Sequence, residues 1–151
     1  TEQIQILLEA LSLKKDINLI FTGVNTDPGS DEISIAINQF VQSNSNARYY
    51  PSLGQSVYLS TLLYCDGVVG NSSSGILEAS SFGKFVINVG NRQSGRLQSG
   101  NVINVPFLES SIMNEYNKIV QLGNYDGGNE YQQNNTASNI INEIKKYNAS
   151  I

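Results

Sequence analysis

An α/β fold, a parallel sheet covered by helices on both faces, is what this sequence predicts, on three observations. Blocks of strand length alternate with stretches of helical periodicity along the whole chain. The strand blocks, such as Phe85-Val86-Ile87-Asn88-Val89, are near-continuous apolar runs and not polar/apolar alternations, as in sheets buried on both sides. Small and polar residues gather just after strand blocks, at positions 25–30, 70–74 and 90–100. In a parallel sheet all three loops open on the carboxyl edge, where ligands of such folds collect.

Each element has its own signal. Ile4, Leu7, Leu8 and Leu11 make an i, i+3, i+4, i+7 stripe, so residues 1–13 predict an amphipathic helix that Thr1 is placed to cap. Residues 17–22 have strand length and composition. Asp27-Pro28-Gly29 is strong turn chemistry, because Pro presets φ and Gly accepts positive φ. A helix follows with Ile33, Ala36, Ile37, Phe40 and Val41 on one face, then a strand at 47–50, the loop Pro51-Ser52-Leu53-Gly54 and a helix at 55–65. Val68-Val69 predicts a strand, residues 73–82 a helix ended by Gly83, 85–89 a strand and 102–105 a last strand closed by Pro106. Ile112, Tyr116, Ile119 and Val120 mark one further helix, and Ile140, Ile141, Ile144 and Tyr147 the last; residues 122–133 between them read as loop, and the Asn-rich tail as solvated surface. Tyr58, Tyr64, Tyr116 and Tyr147 fall in helical stripes and read as packing residues.

With 151 residues the chain fits a single domain, 1–151, with a respectable core. Nine Lys and Arg against thirteen Asp and Glu give a net charge of −4, which argues against a nucleic-acid surface and an anionic membrane as partners. No apolar run approaches the ~20 residues needed to cross a bilayer, and no basic patch precedes an apolar block, so a cytoplasmic location is the expectation. The single cysteine, Cys65, excludes an internal disulfide and reads as a buried, inert thiol. Histidine is absent, which removes the commonest general base and leaves zinc without its usual ligands. Neither metal nor cofactor is expected.

The chemistry centres on Val68-Val69-Gly70-Asn71-Ser72-Ser73-Ser74-Gly75-Ile76-Leu77-Glu78: strand, small-residue turn, helix start. The first N–H groups of a helix lack internal partners and suit an anion. Ser72, Ser73 and Ser74 add hydroxyls, Gly75 permits close backbone approach, and Glu78 stands one turn inside, able to accept from a sugar diol. The same residues also describe a well-capped helix with Ser72 or Ser73 as N-cap. If the three loops converge, the site gathers Asn25, the serines, Glu78, Arg92 and Arg96, a set that suits a nucleoside diphosphate.

These motifs resemble the UDP-N-acetylglucosamine 2-epimerase family. The resemblance rests on Gly70 to Ala79, Phe82-Gly83 and Ile87-Asn88-Val89-Gly90-Asn91-Arg92-Gln93-Ser94-Gly95-Arg96, with Asn25 to Gly29 and Tyr58 to Leu62 beside them. It covers the chain to about Val105 and is strongest to the hydrolysing branch, since other branches carry a Thr-Glu-Arg-Pro-Glu type of run at the arginine loop. Lys84-Phe85 departs from the family, which usually has Pro at the second position. The resemblance implies the C-terminal, Rossmann-like half of a two-domain architecture of the GT-B type, with a partner N-terminal domain absent from this chain. Thr1-Glu2 then resembles the end of a His-Pro-x-Thr motif.

By matching positions, the resemblance implies that Ser72 and Ser73 hold phosphate, with Ser74 and Gly75 in the same loop, and that Glu78 takes the ribose hydroxyls. Arg92, with Arg96, would face the phosphates, and Asn25 and the backbone near Leu53 would lie by the nucleotide. It further implies UDP and UDP-N-acetylglucosamine as ligands, conversion of UDP-N-acetylglucosamine and water to N-acetylmannosamine and UDP for sialic-acid-type sugars, and catalytic groups in the other half, none in this chain. A homo-oligomer is compatible with it. A GT-B-type glycosyltransferase is the rival enzyme, but the second Glu such enzymes place seven residues on is here Phe85. A non-catalytic UDP-sugar-binding module is the rival from another class.

Overall fold

The computed structural model describes residues 2–23 and 29–148. Thr1 and the Asn25 to Pro28 turn, with the expectations attached to them, lie outside those residues. Among the described residues, five strands and six α-helices follow in order: α1 Glu2–Ser12, β1 Leu19–Thr22, α2 Ser30–Ser43, β2 Ala47–Tyr50, α3 Gly54–Tyr64, β3 Gly67–Gly70, α4 Ser73–Leu77, β4 Phe85–Val89, β5 Val102–Val105, α5 Glu109–Leu122 and α6 Thr136–Asn148. A 3-10 turn, Ala79–Phe82, follows α4.

Every strand pairing is parallel, as the apolar blocks predict. The strands form two sheets, β1-β2 and β3-β4-β5, and among the described residues no ladder joins them. Between Gly67 and Gly70, β3 offers Val68 and Val69 as its apolar side chains, and among the described residues it pairs with β4 alone.

The three-stranded sheet is the one clad on both faces. On one side Ile87, Val89 and Val105 pack with Ala10 of α1 and with Ile112 and Ile119 of α5. On the other, Val86 meets α4 so closely that a Cβ on Gly75 would stand 2.9 Å from its Cγ1. The β1-β2 sheet is covered on one side, where Phe21 meets Phe40 of α2 edge-on at 5.6 Å and Tyr49 donates to Ser34 Oγ at 3.3 Å. Its other side, with Ile20 and Tyr50, is exposed.

Two helices differ from expectation. The helix predicted for 73–82 is a five-residue α-turn that tightens into 3-10 geometry at Glu78. Glu78 N–H still donates to Ser74 O at 2.9 Å, whereas Ser81 N–H donates three residues back to Glu78 O at 3.0 Å. The tighter turn lets Ala79 and Ser80 sink into the interior and ends at Gly83, whose φ of 67° is the left-handed cap conformation. α6 forms as its periodicity predicts, but its stripe stays in solvent: Ile140, Ile141, Ile144 and Tyr147 are 55%, 51%, 55% and 73% exposed. Tyr64 is likewise exposed, not packed. Periodicity shows which residues share a helix face; it does not supply a surface to cover that face.

Candidate functional site

Because the strands are parallel, the loops after β1, β2, β3 and β4 leave on the carboxyl edge. An open cleft of about 370 Å³ lies there, lined by Thr22 and Gly23 at the end of β1, Pro51 to Gln55 after β2, Tyr58 of α3, and Glu78 at the end of α4. Leu53 and Glu78, both sequence candidates, therefore face one space. The β2–α3 loop contributes most of the wall, although composition alone gave it no role. Its signal was position: Pro51-Ser52-Leu53-Gly54 directly follows a strand.

Ser72 is the N-cap of α4, with extended backbone and its Oγ accepting from Ser74 N–H at 3.4 Å. With α4 only five residues long, little macrodipole stands behind this turn. Because Ser74 N–H goes to Ser72 Oγ and Gly75 N–H to Ser72 O at 3.3 Å, the turn's capacity for an anion rests on Ser73, whose hydroxyl is half-buried. Ser74 is different. Its hydroxyl donates to Glu78 Oε2 and is itself held by the Tyr58 hydroxyl, so it is committed within the protein. Gly75 also differs from expectation: the space beside it belongs to Val86, and the glycine serves helix–strand packing.

The arginine loop comes back onto the serine loop. Arg92 Nη1 donates to Asn71 O at 3.3 Å, and Gln93 Nε2 donates to the same oxygen at 2.7 Å. Gln93 is 3% exposed, so this second bond is the inner clamp and leaves the exposed guanidinium at the loop surface. Arg96 closes the same turn, its N–H donating to Gln93 O at 3.3 Å. Its side chain is exposed and, among the described residues, makes no hydrogen bond, so the structure does not bring it to the serines as it brings Arg92.

A strap that composition reads as plain loop supports both loops from behind. Asn129 Nδ2 donates to Leu77 O at 2.9 Å and to Ser81 Oγ at 2.7 Å. Glu130 N–H donates to Ser99 Oγ at 3.0 Å, and the Tyr131 hydroxyl to Leu97 O at 2.8 Å. Asn88, Asn104 and Gln98 form an amide ladder under the arginine loop, with Asn88 Nδ2 to Asn104 Oδ1 and Asn104 Nδ2 to Gln98 Oε1 both at 2.7 Å. Tyr58, Gln93 and Asn129 are residues that sequence reasoning missed, because their roles depend on contacts far along the chain.

Three groups titrate above their ordinary values, Tyr58, Cys65 and Tyr116. Burial pushes the Tyr58 hydroxyl up, with the Glu78 carboxylate adding to the effect against the Ser74 hydrogen bond. Burial also pushes the Cys65 thiol up, against the nearby Lys84 charge. Cys65, which the sequence reads as buried, is only half-buried. Among the described residues no group of three or more His, Cys, Asp or Glu could hold a metal ion, and no helix is long and apolar enough to cross a membrane.

Fold and site together define a class: a parallel α/β domain with a polar cleft at the carboxyl edge of its strands. The chain belongs to the UDP-N-acetylglucosamine 2-epimerase family, whose model matches residues 1–145. It is 34% identical over 155 residues to the polysialic acid biosynthesis protein P7 of Escherichia coli, covering 97% of this chain and 38% of that protein. With the GDP/UDP-N,N'-diacetylbacillosamine 2-epimerase (hydrolyzing) of Campylobacter jejuni it shares 39% identity over 103 residues, 68% of this chain and 27% of that enzyme. With the UDP-N,N'-diacetylbacillosamine 2-epimerase (hydrolyzing) of Legionella pneumophila it shares 34% over 111 residues, 74% of this chain and 29% of that enzyme. The chain thus spans well under half the length of these relatives.

Proposed function

We propose that this chain is the UDP-binding C-terminal domain of a hydrolysing UDP-N-acetylglucosamine 2-epimerase. The observation that carries the reading is the convergence at one edge: Glu78 in a cleft of nucleoside size, with the serine turn beside it and Arg92 drawn onto that turn by Asn71. Ser72 and Ser73 take phosphate, Arg92 adds positive charge with Arg96 in reserve, and Glu78 accepts from the ribose diol. Leu53 and its loop flank the nucleoside, and Asn25 is assigned to it by the sequence motif alone. The names of the Campylobacter and Legionella relatives support both the hydrolysing branch and a nucleotide-linked amino sugar, and that of the Escherichia coli relative supports sialic-acid chemistry.

In the complete enzyme a base outside this chain removes the C2 proton of the sugar, the C1–O bond breaks to release UDP, and water adds to the resulting glycal. This domain stabilises the leaving group, with donors aimed where negative charge grows on the departing diphosphate. A second, N-terminal domain supplies the acid and base. The exposed apolar stripe of α6 and the share of the relatives' length lying outside this chain support such a partner.

In the full-length protein, UDP should bind much more tightly than UMP by calorimetry. Ser73→Ala or Arg92→Ala should lower turnover by about 10²-fold, the scale for loss of one donor to a developing anion, with the thermal midpoint almost unmoved. Unchanged turnover in both variants would sink the assignment.

A further inference from the structure

Tyr58 is not a packing residue of α3. Its hydroxyl meets Ser74 Oγ, and Ser74 Oγ meets Glu78 Oε2, so three side chains from two segments form one hydrogen-bonded chain. The direction of that chain follows from the proton count. A carboxylate only accepts, so Ser74 spends its single proton on Glu78. Tyr58 must then be the donor to Ser74, using one of the serine's lone pairs. The order is Tyr58 O–H to Ser74 O–H to carboxylate, an arrangement in which each bond polarises the next.

The backbone holds the acceptor as firmly. Glu78 N–H donates to Ser74 O at 2.9 Å and Glu78 O accepts from Ser81 N–H at 3.0 Å, at the junction where α4 tightens. Tyr58 and Glu78 both line the cleft. One carboxylate oxygen is fixed by the chain, and among the described residues the other, Oε1, accepts no hydrogen bond. A long acidic side chain at an open cleft otherwise loses rotamer freedom when it binds a ligand, and affinity falls accordingly.

We propose that Tyr58, acting through Ser74, is a positioning residue for Glu78, presenting Oε1 to the vicinal diol of a nucleotide ribose. The proposal rests on the reading of the cleft as a UDP site, and it moves Ser74 from phosphate ligand to relay.

The test compares UDP with 2′,3′-dideoxy-UDP by calorimetry on the full-length protein and its Tyr58→Phe, Ser74→Ala and Glu78→Gln variants. Wild type should prefer UDP. Tyr58→Phe, which keeps the ring and its packing, should weaken UDP about 10-fold, equivalent to ~1.4 kcal/mol, and leave dideoxy-UDP unchanged. Ser74→Ala should do the same, and in the Glu78→Gln background Tyr58→Phe should add nothing. A merely structural role for Tyr58 would weaken both ligands equally. Undiminished preference for UDP in Tyr58→Phe, or additive losses in the Glu78→Gln background, would overturn the relay while leaving the UDP site standing. A wild type that binds both ligands equally, or neither, would overturn the ribose role of Glu78 and the relay with it.

Discussion

The two sheets of this domain are built from strands of similar length and treat their residues differently. β4 is buried on both faces, with Val86, Ile87, Asn88 and Val89 all inside, whereas β1 alternates, its Ile20 being 52% exposed. The site divides along the same line. The β3-β5 half brings the serines, Glu78 and Arg92, and with them the charged groups. The β1-β2 half brings loop walls through Thr22, Gly23 and residues 51–55. The lesson is mechanical: the groups proposed to hold an anion stand on the half with packed helices on both sides, where interiors yield little. Tyr58 bridges the two halves by reaching from the helix after β2 to the turn after β3.

If that contrast is right, truncations of like size should cost unlike amounts. Ile87→Ala, fully buried between α1 and α5, should lower the unfolding free energy by about 2–5 kcal/mol. Gly75→Ala should follow at about 1–3 kcal/mol, because its new methyl must displace Val86 and crowd α4 off β4. Ser72→Ala, which removes the cap of α4, should cost about 1 kcal/mol. Ile20→Ala, on the open face of β1, should stay within about 0.5 kcal/mol. Urea titration of all four gives the ranking, and an Ile20→Ala cost equal to that of Ile87→Ala would erase the difference between the sheets.

The smallest expected effect concerns pH. Burial raises the Tyr58 hydroxyl, the Cys65 thiol and the Tyr116 hydroxyl above their ordinary values. The folded chain therefore keeps protons that the unfolded chain releases, and the slope of stability with pH is negative in that window. Their contribution is complete below about pH 8 and declines as pH climbs through roughly 8.5 to 10 and beyond, the thiol first and the phenols after it. Tyr58→Phe should leave the alkaline decline shallower in a series of thermal melts; an unchanged slope would remove Tyr58 from the account.

The candidate site was legible where structure is local. Ser72 as cap, the strand before it and the loop of Arg92 are all written in short runs, because a turn or a cap is decided within a few residues. For Ser74, Gly75 and Tyr58 the contacts in the structure differ from what local sequence suggests, for the opposite reason. Whether a serine faces a ligand or a tyrosine, and whether a glycine makes room for phosphate or for Val86, depends on what lies across the sheet. Arg92 and Arg96 look equivalent as sequence, and only the clamp on Asn71 separates them.

By itself the sequence determined the order of the elements, the parallel pairing and the edge on which the loops gather. Periodicity and turn residues are local, and a short apolar run linked through a helix has few other ways to pair. Only the tertiary structure decided that the strands form two sheets, that the stripe of α6 stays uncovered, and that Tyr58 and Ser74 hold Glu78. Each of those outcomes is a contact between residues distant in the chain, and the energy of such a contact belongs to neither partner alone.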